Sequence, residues 1–101
     1  MAQVRWTPQA ADDLEAICLF IARDAPGVAA VFADRVIRAT ERLADYPRMG
    51  RVVPELRLED LREVIVGGYR VIYRIRRDQV EVVTVHHGAR LLGARQLEGR
   101  V

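Results

Sequence analysis

The chain has 101 residues, of which 50% are hydrophobic and 30% charged, which is the profile of a globular protein and excludes a disordered chain. This length predicts a single domain over residues 1–101, because two hydrophobic cores of ordinary size do not fit into it. No apolar run approaches the ~20 residues of a membrane span, and the N-terminus lacks a secretory signal, so we expect a cytoplasmic protein without membrane contact. Residues 61–101 hold 8 arginines and 4 acids (+4), against 8 and 10 in residues 1–60 (−2), which indicates an anionic partner for the second part.

The first half of the chain predicts a strand and two helices. Residues 2–6 alternate in polarity as a short strand does, and Thr7-Pro8 is a typical helix start. Apolar residues then recur at helical spacing, which predicts a helix over about residues 8–24 and a second over about 27–45, each introduced by a capping residue and a proline. Cys18, the single cysteine, lies in the first helix as a buried filler and excludes an internal disulfide or a thiolate zinc cluster, so we expect no metal.

Three strand-like segments follow, over residues 61–66, 69–76 and 79–87. They are separated by Gly67-Gly68 and Arg77-Asp78, and two-residue connections of this kind are typical of hairpin turns. The order strand, helix, helix and three-strand meander predicts an α+β fold, in which a helical hairpin packs on one face of a small antiparallel sheet.

Two-residue turns also predict which residues lie opposite each other in the sheet. Counting outward from the turns, Ile65 lies opposite Arg70, which lies opposite Val85, and the other rows follow in the same way. One face of the sheet is then without a helix, although it is half apolar, so we expect a partner to cover it. This face holds Glu63, Ile65, Arg70, Ile72, Arg74, Glu81, Val83, Val85 and His87.

Several short phrases, in this order and spacing, resemble the RelE/ParE superfamily of bacterial toxins over about residues 3–92. They are Trp6-Thr7-Pro8, Pro47 to Arg51, Val53-Pro54-Glu55-Leu56, Leu61-Arg62-Glu63, Gly68 to Arg74 and Val85 to Arg90. The resemblance implies the β-α-α-β-β-β fold and a growth-inhibiting protein that needs no cofactor. It also implies a cognate antitoxin that silences the toxin in a heterodimer or heterotetramer.

The superfamily contains two unlike activities. ParE-like members poison DNA gyrase, whereas RelE-like members enter the ribosome and cut mRNA without a metal. The sequence favours the ParE-like activity, because the net charge of +2 is modest for work inside ribosomal RNA and because Tyr69 and Tyr73 point away from the open face. A ribosome-dependent nuclease and an inactive relative that only binds an antitoxin are the alternatives.

Three residues are candidates for catalysis under the nuclease alternative. The resemblance matches Arg70 to an arginine that contacts the scissile phosphate, and places His87 and Glu55 where a general acid or base stands in relatives. Each also has a structural interpretation. Arg70 can pair with Glu63 across the strands, His87 can contact the antitoxin, and Glu55 can be a solvated loop carboxylate.

The open face also predicts a site for the antitoxin, which we expect to lie along it and along the outside of the helical hairpin. An apolar strip edged by arginines suits a disordered acidic and hydrophobic segment that folds on binding. The predicted contacts are Ile65, Arg70, Ile72, Arg74, Val83, Val85 and Arg90. Residues 93–101 show no pattern and are expected to form a frayed tail.

Overall fold

The computed structural model describes residues 2–88, so Arg90 and the predicted tail lie outside the described residues. The predicted α+β fold is confirmed, with one additional short strand, β2. The elements are β1 (Gln3–Trp6), α1 (Pro8–Ala22), α2 (Pro26–Arg42), β2 (Arg51–Val52), β3 (Leu61–Val66), β4 (Tyr69–Arg76) and β5 (Gln79–His87). No helix in residues 2–88 is long and apolar enough to span a membrane.

The two helices begin differently. At α1 the Thr7 hydroxyl oxygen accepts a hydrogen bond from the Ala10 backbone N–H at 3.0 Å, which is the predicted cap, and Pro8 occupies the first turn. At α2 the N-cap is Ala25, which has no side chain for this bond, so the capping residue predicted before Pro26 is absent. Since α2 lacks a side-chain cap, its packing on the sheet must supply most of its stability.

The sheet has the order β1-β5-β4-β3-β2. Strands β2 to β5 pair antiparallel, whereas β1, for which no partner strand was predicted, pairs parallel with β5, so the sheet as a whole is mixed. Gly67 and Gly68 both have positive φ, of 53° and 83°, which confirms a two-residue turn between β3 and β4.

A β-bulge in β5 changes the predicted register. The predicted β3–β4 pairs are confirmed, and so is Arg74 opposite Glu81, but the β4–β5 pairing shifts between Ile72 and Tyr73. From there Arg70 lies opposite His86 and not opposite Val85. A shift of one residue moves side chains to the other face, which is why the predicted position of every later β5 residue was wrong.

The helices cover one face of the sheet, which we call the helix face. Its larger core cluster contains Ala10, Phe32, Val36, Val66, Val71, Val82 and Val85, and a second cluster contains Leu43, Tyr73 and Val80. The Asp13 carboxylate of α1 accepts hydrogen bonds from the Thr84 hydroxyl and the Val85 backbone N–H, so α1 is also joined to the chain just after the bulge.

Residues 53–60, the segment between β2 and β3, close the opposite face, and we call this segment the strap and this face the strap face. Val53 and the half-buried Leu56 of the strap pack on Leu61, Ile72 and Val83. The Val53 backbone N–H also donates to the Leu61 carbonyl at 3.0 Å. Ile72 and Val83, two of the apolar residues that were expected to await a partner, are therefore buried by the chain itself.

Candidate functional site: the Arg70 cluster

Arg70 is the centre of the most buried cluster of paired charges in the described residues. Its side chain is 5% exposed, and its two terminal nitrogens donate to the two carboxylate oxygens of Glu55 at 2.6 and 2.7 Å. Its Nε donates to Glu63 Oε1 at 2.8 Å. A fork-to-fork arginine–carboxylate pair of this kind is among the strongest polar contacts in proteins.

Glu63 connects the cluster to the edge of the sheet. Its carboxylate is fully buried, and Oε2 accepts a hydrogen bond from Arg51 Nε at 2.6 Å. The pairing of β2 with β3 places Arg51 directly opposite Glu63, and Arg70 on β4 is a diagonal neighbour of Glu63. The chain of contacts Arg51, Glu63, Arg70 and Glu55 contains two positive and two negative groups, so its formal charge is zero.

The surroundings keep Arg70 charged. Its hydrogen bond to Glu55 raises the pKa of the guanidinium, burial partly opposes this rise, and Glu63 contributes further to it. Charge is therefore not a variable property of this residue. The contacts match the structural interpretation of Arg70, since it pairs with Glu63 across the strands. Glu55 is its second partner.

A shallow depression of about 300 Å³ lies over this cluster, lined by Arg51, Pro54, Glu55, Arg70 and Gly88. Arg51 is well exposed there, but the two-pronged hydrogen-bonding edge of Arg70 is already filled by the Glu55 carboxylate. An incoming phosphate would have to displace Glu55 before it could bind the terminal nitrogens of Arg70.

The two histidines are placed differently from the prediction. His87 was expected on the face of Arg70, but it lies opposite Tyr69 and its ring contacts the Tyr69 ring edge-on at 5.3 Å. Tyr69 itself packs on Phe32 of α2, so His87 belongs to the helix face. His86 is the histidine opposite Arg70, and its Nδ1 lies 3.3 Å from the His87 carbonyl. The bulge, which the sequence does not reveal, exchanges the two histidines.

Three of the four predicted apolar contacts with the antitoxin are not on the surface. Ile72 and Val83 are fully buried beneath the strap, and Val85 lies in the core of the helix face because of the bulge. The prediction of an open apolar strip was therefore wrong for these three residues. Ile65 is exposed and Arg74 half-buried, and their role in partner binding stays a prediction.

Two groups of exposed apolar side chains were missed by the sequence analysis. Leu19 and Phe20 near the end of α1, with Val28 and Val31 near the start of α2, are 59–65% exposed, and we call them the hairpin surface. Tyr46, Met49 and Leu58 are exposed on loops. The sequence shows that these residues are apolar. It does not show which face of each helix, or which side of each loop, packs against the rest of the protein.

Within residues 2–88 no group of three or more His, Cys, Asp or Glu side chains could hold a metal ion.

Comparisons with known proteins identify the class to which this fold belongs. The family described as "ParE toxin of type II toxin-antitoxin system, parDE" matches residues 4–92. Toxin RelE2 of Caulobacter vibrioides is 40% identical over 92 residues, which cover 90% of this chain and all of that protein. The solved structure described as "Chromosomal ParDE TA system from P. aeruginosa" has a TM-score of 0.72, at 18% identity, over 86% of this chain and 96% of that one.

The chain therefore belongs to the ParE family of toxins from type II toxin–antitoxin systems. The predicted membership of the RelE/ParE superfamily is confirmed. Membership of such a family implies an antitoxin as partner.

Proposed function

We propose that this toxin arrests growth by poisoning DNA gyrase, as ParE-like toxins do, and that it does not cut mRNA. The observation that carries the proposal is the bidentate Glu55–Arg70 pair, at 2.6 and 2.7 Å. A metal-free ribonuclease needs an accessible cation that stabilises charge developing on phosphate in the transition state. In this chain that cation is buried and neutralised by two carboxylates, Glu55 and Glu63.

The position of His87 supports the same proposal. A general acid or base must lie within hydrogen-bonding reach of the reacting group that the phosphate clamp holds. His87 lies on the helix face, against Tyr69, whereas Arg70 lies on the strap face. The pair of residues that the nuclease alternative requires is thus divided between opposite faces of the sheet.

Two parallel assays test this activity. Purified toxin is titrated into a gyrase supercoiling reaction and into a translation reaction with a labelled mRNA. We expect loss of supercoiling, with accumulation of cleaved DNA, and intact mRNA. The variant His87→Ala, which alters an exposed side chain, should behave as the wild type in both assays. Cleavage of mRNA at the ribosome, with supercoiling unaffected, would contradict the proposal and show that the protein is a RelE-like nuclease.

We further propose that the antitoxin binds along the outside of the helical hairpin. The support is the hairpin surface itself, whose four apolar side chains are 59–65% exposed, together with exposed arginines nearby in the chain, which are Arg23 just after α1 and Arg35 and Arg38 on α2. Apolar burial combined with charge-assisted bonds to arginine suits an acidic and hydrophobic segment. The sequence predicted that the antitoxin lies along the open sheet face and along the outside of the helical hairpin. Because the strap already covers that sheet face, we retain only the hairpin as the antitoxin site.

The antitoxin proposal is tested by changing Leu19 and Phe20 to serine together. Both side chains are largely exposed, so the fold should not change, but the affinity for the co-expressed antitoxin should fall by about tenfold or more. Leu58→Ser, which changes an exposed apolar residue of the strap, serves as the control. Equal affinities of wild type and double variant in a calorimetric titration would exclude the hairpin surface.

A further inference from the structure

The bulge in β5 lies against the start of α1. The pairing of β4 with β5 passes from Val82 to Thr84 and leaves Val83 without an opposite residue on β4. A bulge of this kind takes one residue out of the strand ladder, so backbone polar groups at the bulge need other partners. In this chain the partners come from α1 and its N-cap.

The N-cap of α1 holds the first half of the bulge. The Thr7 backbone N–H donates to the Val82 carbonyl at 3.0 Å. The Thr7 hydroxyl donates to the Val83 carbonyl at 3.2 Å, while its oxygen accepts the capping hydrogen bond from Ala10. One side chain thus caps the helix and binds the residue that has no opposite partner in the sheet.

Asp13, nearly two turns further along α1, holds the second half of the bulge. Its Oδ2 accepts from the Thr84 hydroxyl and, at 3.4 Å, from the Val85 backbone N–H. Its Oδ1 accepts from the Gln9 side-chain amide at 2.7 Å, which orients the carboxylate. The spacing within α1 suits these contacts, because six residues of helix rise about 9 Å and residues 82–85 of a strand span about 10 Å.

Two of these bonds require the bulged register. Backbone polar groups of successive strand residues point to opposite edges of the strand, and the Val82 carbonyl points away from β4, toward Thr7. In a regular strand the groups of Val83 and Val85 would therefore point toward β4. In the bulge both are bound by α1 instead, the Val83 carbonyl by the N-cap and the Val85 N–H by Asp13.

Burial of apolar side chains gives a weaker preference between the two registers. The bulge places Val85 in the core of the helix face, but the strap covers apolar side chains on the other face as well. Val83, Thr84 and Val85 are all suited to a regular strand, so their side chains do not require an irregularity. The polar contacts with α1 are therefore the feature that separates the two registers.

We propose that Thr7 and Asp13 are positioning residues that set the register of β5 and so decide which histidine lies opposite Arg70. With the bulge, His86 lies opposite Arg70 and His87 lies on the helix face. A regular pairing would move His87 to the strap face, because a shift of one residue exchanges the faces. The start of α1 thus keeps His87 away from Arg70, and this role does not depend on which target the toxin attacks.

The test compares two neighbouring carboxylates of α1. Asp13→Ala removes the acceptor of the Val85 N–H, whereas Asp12→Ala removes an exposed carboxylate of the same helix and serves as the matched control. The register is measured by nuclear Overhauser contacts between β4 and β5 in the isotopically labelled toxin. The wild type and the control should both show the His87 ring against Tyr69.

We expect Asp13→Ala to lose this ring contact and to place Val85 opposite Arg70, as in a regular strand. A folded Asp13→Ala that keeps His87 on the helix face would overturn the inference. Because the register is measured in the free toxin, a failure here is distinct from a failure of the proposed action on gyrase.

Asp13→Asn replaces the alanine variant if that variant does not fold. The neutral amide keeps the shape of the carboxylate and accepts a weaker hydrogen bond. The backbone amide hydrogens of residues 83–87 should then exchange about fivefold faster than in the wild type, while those of residues 79–82 do not change. A change spread evenly over β5, or no change, would show that Asp13 does not set the register.

Discussion

The two faces of the sheet are closed by different kinds of structure. On the helix face, α1 and α2 bury a core of aliphatic and aromatic side chains. On the strap face, an irregular segment buries a smaller cluster around Ile72, and it is held there by the ion pairs of Arg70. Stability on the helix face is spread over many small apolar contacts. On the strap face it depends on a few charged groups, whose burial is tolerable only while all of them are paired.

The largest effect on stability is expected from Arg70→Met. The substitution leaves the fully buried carboxylate of Glu63 with Arg51 alone and removes the strap's main polar contact. Breaking a buried ion pair on one side costs about 3–5 kcal/mol, because an uncompensated charge remains in the interior. Denaturant unfolding measures this loss. A cost below about 1 kcal/mol would mean that the strap face does not depend on its charges.

Truncation of the helix face should come next. Leu43→Ala removes a fully buried side chain next to Tyr73 and Val80, and changes of this kind cost about 2–5 kcal/mol. Leu19→Ala on the hairpin surface is the matched control and should change the free energy of unfolding by no more than about 0.5 kcal/mol. Similar losses for the two leucines in the same unfolding experiment would contradict the packing described for this face.

Tyr73→Phe tests the contact between the helix face and the loop of residues 43–50. Without the hydroxyl, the Gly50 N–H and the Pro47 carbonyl lose their partner, which costs about 1–3 kcal/mol for buried groups. Burial also raises the pKa of Tyr73 above its ordinary value of 10.0, so the unfolded chain loses this proton first. The tyrosine's contribution is therefore complete below about pH 10 and declines as pH rises through its folded pKa.

The measurement is the free energy of unfolding between pH 8 and pH 11 for both proteins. The difference between them should shrink as the solution becomes more alkaline. Burial also raises the pKa of the Cys18 thiol, and this group weakens the fold with rising pH in the same direction. Since Cys18 is common to both proteins, its effect cancels in the difference. A difference that is constant or grows with pH would show that the Tyr73 hydroxyl is not buried as described.

The smallest effect is expected from Arg51→Ala. Its guanidinium lies 2.6 Å from Glu63, but the side chain is 61% exposed and solvent screens the pair, so we expect a loss of about 1 kcal/mol. The loss of unfolding free energy in Arg51→Ala is compared with the loss in Arg70→Met. The ratio of the two shows how much of the cluster's contribution to stability depends on burial. A loss for Arg51→Ala as large as that for Arg70→Met would place the dominant charge pair at the edge of the sheet.

The predictable parts of this molecule are those that local pattern determines. The bounds of β3, β4 and β5 follow from alternation and the Gly67-Gly68 turn, and the start of α1 follows from Thr7. The bulge after Val82 has no signal of its own, since Val83, Thr84 and Val85 all suit a regular strand. That single irregularity decides whether His86 or His87 faces Arg70.

The sequence did not predict the packing of the strap, for a related reason. Residues 53–60 have the composition of a solvated loop, and their three large apolar residues do not reveal whether the segment packs, since Val53 and Leu56 do and Leu58 is exposed. The partnership of Arg70 with Glu63 was visible in the register of β3 and β4, because it is short-range in the sheet. Its pairing with Glu55 depends on the path of the strap, and the alternation of polar and apolar residues does not predict the path of a loop.

The Arg70 cluster holds the strap, and under the proposed function it does not bind a phosphate. The direct test is the triple variant Arg70→Met, Glu55→Leu, Glu63→Gln, which removes the charges of all three partners together and leaves no buried ion unpaired. The measurement is supercoiling inhibition per amount of folded protein. We expect the variant to poison gyrase as the wild type does. A folded triple variant without toxic activity would contradict the account and make Arg70 a functional group.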